Sequence, residues 1–239
     1  MKTALITGGA ARIGAQIVKT LHDNNFKIVI HCNRSLEKAK LLSDNLNSIS
    51  KDTVKVISSD LNNIDSISTI ADSIESIDLL VNNASVFYPK SVENSELEDW
   101  DNVLNVNLRA PFFLSKGLSN KLSNNYGSII NIIDIYSDRP LKNHAVYNIS
   151  KAGLKMLTQT LAQELAPRVR VNGISPGFIL WPESSAEISD IEKKLMLERI
   201  PLNKQGSPQD IADTVLFMAN SDYITGQIIN VDGGRTLNQ

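Results

Sequence analysis

The chain has 239 residues, 42% of them apolar and 21% charged, the make-up of an ordinary globular protein rather than a disordered or fibrous one. Its 24 basic and 26 acidic side chains leave a net charge of −2, which gives no basis for a nucleic-acid or anionic-membrane partner. The single cysteine, Cys32, excludes an internal disulfide and a cysteine metal site.

In chain order, "KTALIT" precedes a predicted helix over 12–24, "FKIVIHC" one over 35–48 and "TVKVIS" one over 64–75. "IDLLVNN" precedes 97–123 and "GSIINIID" precedes 145–166; "VRVNGIS", a helix over 208–219 and "GQIINVDGG" complete the series. The apolar runs are continuous rather than alternating, as strands buried on both faces should be. Strands alternating with helices predict an α/β fold, a single Rossmann-type doubly wound parallel sheet of about seven strands with helices on both faces. One catalytic dinucleotide-binding domain is expected over 1–239. Gly127 separates a helix from a strand, and Ser207 before Pro208 reads as an N-cap. The segment 178–200 departs from the alternation after a strand end, where open α/β sheets bind ligands, so it reads as a substrate-loop insertion. No apolar run reaches the ~18 residues of a membrane span. "MKTALITGG" meets glycines too soon for a signal peptide, and a cytoplasmic location is expected.

"TALITGGAARIGAQIV" is a buried strand, a glycine turn and a helix start. Gly8 permits the tight turn, Gly14 lets helix and strand approach, and backbone N–H groups at the helix start face a pyrophosphate. The bland alternative is an ordinary strand-to-helix turn. The second strand ends "IHCNRS", with no carboxylate at 31–35 to hold a ribose but with Arg34 and Ser35. A guanidinium suits a 2′-phosphate, so NADPH is predicted over NADH, against the reading of Arg34 as a solvated loop residue. Arg12 sits in the turn itself, directed at the cofactor phosphates or what lies above them. His31 and His144 have no partners at metal-ligand spacing and read as surface or packing residues, so no metal is expected.

Tyr147 and Lys151 lie four positions apart and share a helix face. A nearby ammonium favours tyrosinate, so Tyr147 is expected to have a lowered pKa and to act as a proton donor.

These residues resemble the short-chain dehydrogenase/reductases over nearly the whole chain. The resemblance rests on "TGGAARIG", "SDL" at 59–61, "VNNAS" at 81–85, "NVN" at 105–107, "YNISK", "SPG" at 175–177 and "VDGG" at 231–234. It implies Asp60 and Leu61 beside the adenine and Asn83 and Ala84 along the nucleotide groove. Gly8, Arg12, Ile13, Gly14, Asn33, Arg34, Ser35 and Ser85 complete the cofactor site, with Pro176 and Gly177 against the nicotinamide. Asn107 would hold a water in a relay through Lys151, which also binds the nicotinamide ribose, while Tyr147 delivers the proton.

Two positions depart from the family pattern: its middle glycine is Arg12 and its catalytic serine is Asp134. With "NRS", "NNASVFYP" at 82–89 and "GFILWPES" at 177–184, the chain looks like the pteridine reductases and the related dihydromonapterin reductases. That resemblance implies Phe87 stacking on a pterin opposite the nicotinamide, with Arg12 and Ser85 beside it. Trp181 packs the substrate loop or covers the substrate. The expected reaction is NADPH-dependent reduction of a C=N bond in a dihydropterin, of the dihydromonapterin, dihydrobiopterin or dihydrofolate type, or in an oxidised pterin. Asp134 would balance the protonated imine and carry its proton, which a serine cannot. A homotetramer joined through 97–123, 145–166 and the last strand is expected on the same grounds. The rival is a general NADPH-dependent ketoacyl-type carbonyl reductase; those keep the serine, so Asp134 argues against it, as do Phe87 and Arg12. A non-catalytic NADPH-sensing module is disfavoured by the intact relay.

Overall fold

The computed structural model describes residues 1–181 and 189–238. Strands β1 (Lys2–Ile6), β2 (Phe26–Cys32), β3 (Val54–Ser58), β4 (Leu79–Asn82), β5 (Ser128–Ile132), β6 (Arg170–Pro176) and β7 (Ile228–Val231) are all parallel and lie in the order β3-β2-β1-β4-β5-β6-β7. This is the doubly wound sheet that the continuous apolar runs imply. Every residue of β4 and β5 is buried, whereas the edge strands β3 and β7 are partly exposed.

Helices α1 (Arg12–Asp23), α2 (Leu36–Ile49), α3 (Ile64–Ser73), α4 (Leu97–Leu104), α5 (Ala110–Asn124), α6 (Ala145–Glu164), α7 (Asp190–Glu198) and α8 (Pro208–Ala219) follow in chain order. Alternate β1 side chains feed two cores. Ala4 and Ile6 pack with Ile17 and Leu21 of α1 and with Ile211 and Val215 of α8, while Leu5 packs with Ile67 and Ile70 of α3 and Leu114 and Leu118 of α5. Ser207 caps α8 as expected: its side chain accepts from the Asp210 N–H, and Asp210 returns the bond to the Ser207 N–H at 2.7 Å.

Two expectations need revision. The stretch 97–123 is not one helix, because a π-helical turn over Asn105–Arg109 separates α4 from α5. Pro111 has no N–H to give to the carbonyl of Asn107, so the ordinary i+4 ladder fails there. The 178–200 insertion contains α7, and its residues 182–188, including the end of "GFILWPES", lie outside the described residues.

Strand order reverses between β1 and β4, which opens a crevice at their carboxyl ends, the place where such sheets bind nucleotides. Thr7 and Gly8 leave β1 there, and Asn83 and Ala84 leave β4 beside them.

Candidate active site

The crevice is built tightly. Gly8 has φ +63°, and a Cβ on Gly14 would lie 2.2 Å from the Gly8 carbonyl oxygen, so both positions require glycine. Asn83 Nδ2 donates to the carbonyls of Thr7 (2.8 Å) and Gly8 (3.1 Å). The Thr7 hydroxyl accepts the N–H groups of Asn83 (2.9 Å) and Ala84 (3.0 Å). Thr7, which the sequence analysis passed over, thus fastens the two strand ends that flank the groove; its signal is the threonine directly before the glycine pair.

Helix α1 has no side-chain cap and no acidic residue in its first turn, as a phosphate site at a helix N-terminus requires. Arg12 opens that helix with φ +52°, a conformation favouring the glycine usual in the family, so its guanidinium is held at the turn against a backbone cost. Ile13 follows it, half-buried. Asn33 and Arg34 are exposed beyond β2, with Ser35 partly buried. Asp60 is exposed and its carboxylate accepts the Asn62 N–H at 2.9 Å, while Leu61 is buried. Gly177, after Pro176, donates its N–H to the Val231 carbonyl at 3.0 Å. These glycines, backbone donors and Arg34 fit a dinucleotide bearing a 2′-phosphate.

His31 is a packing residue with a specific job. Its buried ring has Nε2 3.2 Å from the Ser59 carbonyl, and Nδ1 accepts the Gly8 N–H at 3.4 Å. Burial lowers its pKa to about 4, so the neutral ring ties the turn after β1 to the end of β3.

On the other side of the crevice, the Tyr147 hydroxyl donates to Asp134 Oδ2 at 2.7 Å. Lys151 is buried, its Nζ donating to the Ile132 carbonyl at 3.0 Å and lying 5.6 Å from the Tyr147 ring centroid. Burial pulls Lys151 down to about 8, against the opposing charge of Asp134. The lowered phenol pKa expected for Tyr147 is not found. Burial first, then the charge and hydrogen bond of Asp134, raise it well above its ordinary value. Burial also raises the Asp134 carboxyl, opposed by the Tyr136 N–H, which reaches Oδ1 at 2.9 Å, and by Tyr147 and Lys151. Deprotonating the phenol beside an ionised Asp134 would place two anions 2.7 Å apart, so the phenol keeps its proton.

Asn107 is fully buried and its amide is committed to protein. Oδ1 accepts the Val86 N–H at 2.8 Å, and Nδ2 donates to the Val86 carbonyl (3.0 Å) and to Ser150 Oγ (3.1 Å). Ser150, another residue missed from sequence, donates its hydroxyl hydrogen bond to the Tyr147 carbonyl at 2.7 Å.

Phe87 stands over Tyr147 edge-on at 4.8 Å but stacks its face on His144 at 4.6 Å and 18°. The Lys90 N–H donates to the Asn143 carbonyl at 2.6 Å, and Lys90 pairs with Asp99 at 2.8 Å, which sets the segment against the start of α6. Ser85, exposed, helps offset the raised pKa of Tyr147. Trp181 meets Phe178 edge-on at 4.4 Å, with Lys193 5.8 Å from its ring, so it packs its own segment.

The family model described as Enoyl-(Acyl carrier protein) reductase matches residues 8–236. The chain is 36% identical over 237 residues to 3-oxoacyl-[acyl-carrier-protein] reductase FabG of Rickettsia bellii (strain RML369-C), covering 98% of this chain and 96% of the relative. It is 34% identical over 243 residues to the Aquifex aeolicus (strain VF5) protein of the same name, again covering 98% and 96%. The Staphylococcus epidermidis (strain ATCC 12228) protein of that name is 33% identical over 240 residues, covering 98% of each chain.

These relatives overturn the pteridine-reductase reading and its dihydropterin substrate, and favour the ketoacyl-type rival. The residues that carried the pterin reading have local explanations. One face of Phe87 stacks on His144, so the ring has a packing partner within the chain. Asp134, with its pKa raised by burial, supplies when protonated a hydroxyl where the family has one. The seven-stranded parallel sheet, the Tyr147–Lys151 pair at its carboxyl edge and near-full-length similarity agree, and the chain belongs to the short-chain dehydrogenase/reductase family of oxidoreductases.

Proposed function

We propose that this chain is an NADPH-dependent reductase of 3-oxoacyl thioesters, converting the ketone to a hydroxyl. The observation that carries the reading is the 2.7 Å Tyr147–Asp134 contact beside buried Lys151, in a chain whose relatives share a 3-oxoacyl reductase name. NADPH, when bound along the β1–β4 crevice, supplies the hydride. As the carbonyl π bond breaks, Tyr147 gives its hydroxyl proton to the oxygen. A protonated Asp134 donates a second hydrogen bond to that oxygen and then returns a proton to Tyr147, so the pair ends one proton poorer and is refilled past Lys151. Gly8, Arg12, Gly14, Arg34 and Ser35 bind the cofactor phosphates, and Phe87 and Ser85 border the substrate.

The test is NADPH oxidation with a 3-oxoacyl thioester, simple ketones and pterins side by side. Turnover of the thioester is expected; reduction of pterins alone would overturn the reading. For the cofactor, Arg34→Ala is expected to weaken NADPH about tenfold or more while NADH changes little, as for loss of one charge-assisted contact. Equal losses for both cofactors, measured by fluorescence titration, would mean that Arg34 does not face the 2′-phosphate.

The same reading includes a homotetramer. Phe112 and Phe113 on α5 and Ile149 and Met156 on α6 are exposed, an apolar surface suited to pairing with another copy. Sedimentation should give a mass of about four times that of one 26.3 kDa chain; a monomer at micromolar concentration would contradict it.

A further inference from the structure

Three arginines from separate segments gather at the C-terminal residues, near Tyr136, two positions after Asp134. Arg139 follows the turn after β5, Arg199 follows α7 and Arg235 lies beyond β7. Arg139 Nη1 donates to the carbonyls of Arg235 (3.1 Å) and Asn238 (2.9 Å), and Arg235 Nη1 reaches the same Asn238 oxygen at 3.3 Å. Asn238 Nδ2 in turn donates to the Arg199 carbonyl at 3.1 Å. Two guanidiniums thus share one acceptor. Arg235 lies below its ordinary pKa because of burial and then the charge of Arg139, with Arg199 adding to the effect. The three also offset the rise that burial and Asp134 impose on the Tyr136 phenol.

Among the described residues, two acids near the cluster make hydrogen bonds or ion pairs outside it, although the Asp232 charge also acts on Arg235. Asp232 accepts the N–H groups of Gly234 (2.9 Å) and Thr236 (2.8 Å), and Asp138 pairs with Lys155. The described contacts of Arg139 and Arg235 use Nη1 alone, whereas a guanidinium has five N–H donors. A cluster of like charges costs stability, and a bound dianion offsets that cost best. This anion is not one of the cofactor's. The cofactor phosphates belong at Gly8 and Arg34 by β1 and β2, while this cluster lies at the ends of β5 and β7, in the other half of the sheet. The Tyr136 backbone N–H donates to Asp134 Oδ1 at 2.9 Å, so one residue links the cluster to the catalytic carboxylate.

We propose that Arg139, Arg199 and Arg235 form a subsite for a phosphate ester on the carrier arm of the thioester substrate. The inference rests on the thioester reading above and extends it to the arm. The test compares kcat/KM for a 3-oxoacyl thioester of phosphopantetheine with that of the uncharged N-acetylcysteamine thioester. The parent enzyme should prefer the phosphorylated arm. Arg199→Gln and Arg235→Gln should each cut that preference about tenfold, the lower range for a hydrogen bond to a charged group. Arg235→Lys should keep most of it. Calorimetric titration with phosphopantetheine alone should show binding to the parent and weaker binding to both glutamine variants. An unchanged preference in folded variants, with equal melting temperatures, would overturn the subsite. Arg199 is exposed, so that variant carries the test if Arg235→Gln fails to fold. Failure of the parent to reduce either thioester would overturn the functional reading instead, and the calorimetric arm would then decide the subsite by itself.

Discussion

Tyr147→Phe is expected to lower turnover of a 3-oxoacyl thioester by about 10²-fold or more, the scale for loss of a general acid. The phenyl ring keeps the packing against Phe87 and the start of α6, so NADPH binding and melting temperature should stay close to those of the parent. The loss then belongs to kcat. The pH dependence of the parent has a fixed sign. Reduction consumes a proton, and the protonated forms of Tyr147 and Lys151 are the ones that supply and replace it. Tyr147 is raised well above its ordinary value and stays protonated at neutrality, so the first charge to be lost on raising the pH is that of Lys151, at about 8. The reductive rate should therefore fall as the pH rises through about 8, where Lys151 loses its proton. Turnover of Tyr147→Phe near the parent rate would show that the proton comes from elsewhere.

Asp134 carries the second large effect. Asp134→Ala removes the partner of the phenol and any hydroxyl beside it, and should lose about 10²-fold in turnover. Asp134→Ser restores a donor at the same place and should remain within about tenfold of the parent. Both substitutions remove the charge and the hydrogen bond that raise the phenol, so ultraviolet titration of Tyr147 should move to lower pH in each. An Asp134→Ala enzyme with the parent rate would make the carboxylate a bystander, and an inactive Asp134→Ser would mean that acidity, not hydrogen bonding, is what the site needs.

The sheet was legible because strands buried on both faces have to be apolar without interruption, and the six connections between them carry helical spacing. The glycine turn was legible for a related reason: the backbone at Gly8 and Gly14 tolerates nothing larger. Distances across the site were not legible. Sequence places Lys151 beside Tyr147 and marks Asp134, but it shows neither the burial of the phenol nor the 2.7 Å contact with Asp134, which together reverse the expected shift. Phe87 misled for the same reason, since no pattern in the sequence announces that a histidine fifty-seven residues later stacks on one face of the ring. The arginine cluster likewise exists only in space, drawn from three segments that are each unremarkable alone. Substrate identity, inferred from three unusual residues, gave way to similarity spread over the full chain.

Asn107 grips both backbone groups of Val86 and, with the same amide, the serine beneath Tyr147. The chain is thereby divided into an inherited frame and a variable rim. Up to Val86 the segment after β4 shares its anchorage with the proton donor, and any drift there is felt by the chemistry. From Phe87 onward the polypeptide is released from that bond. Phe87 and Tyr88 are thus fastened by other means, a ring contact with His144 and the Asn102 amide, and not by the amide that holds the serine beneath the proton donor.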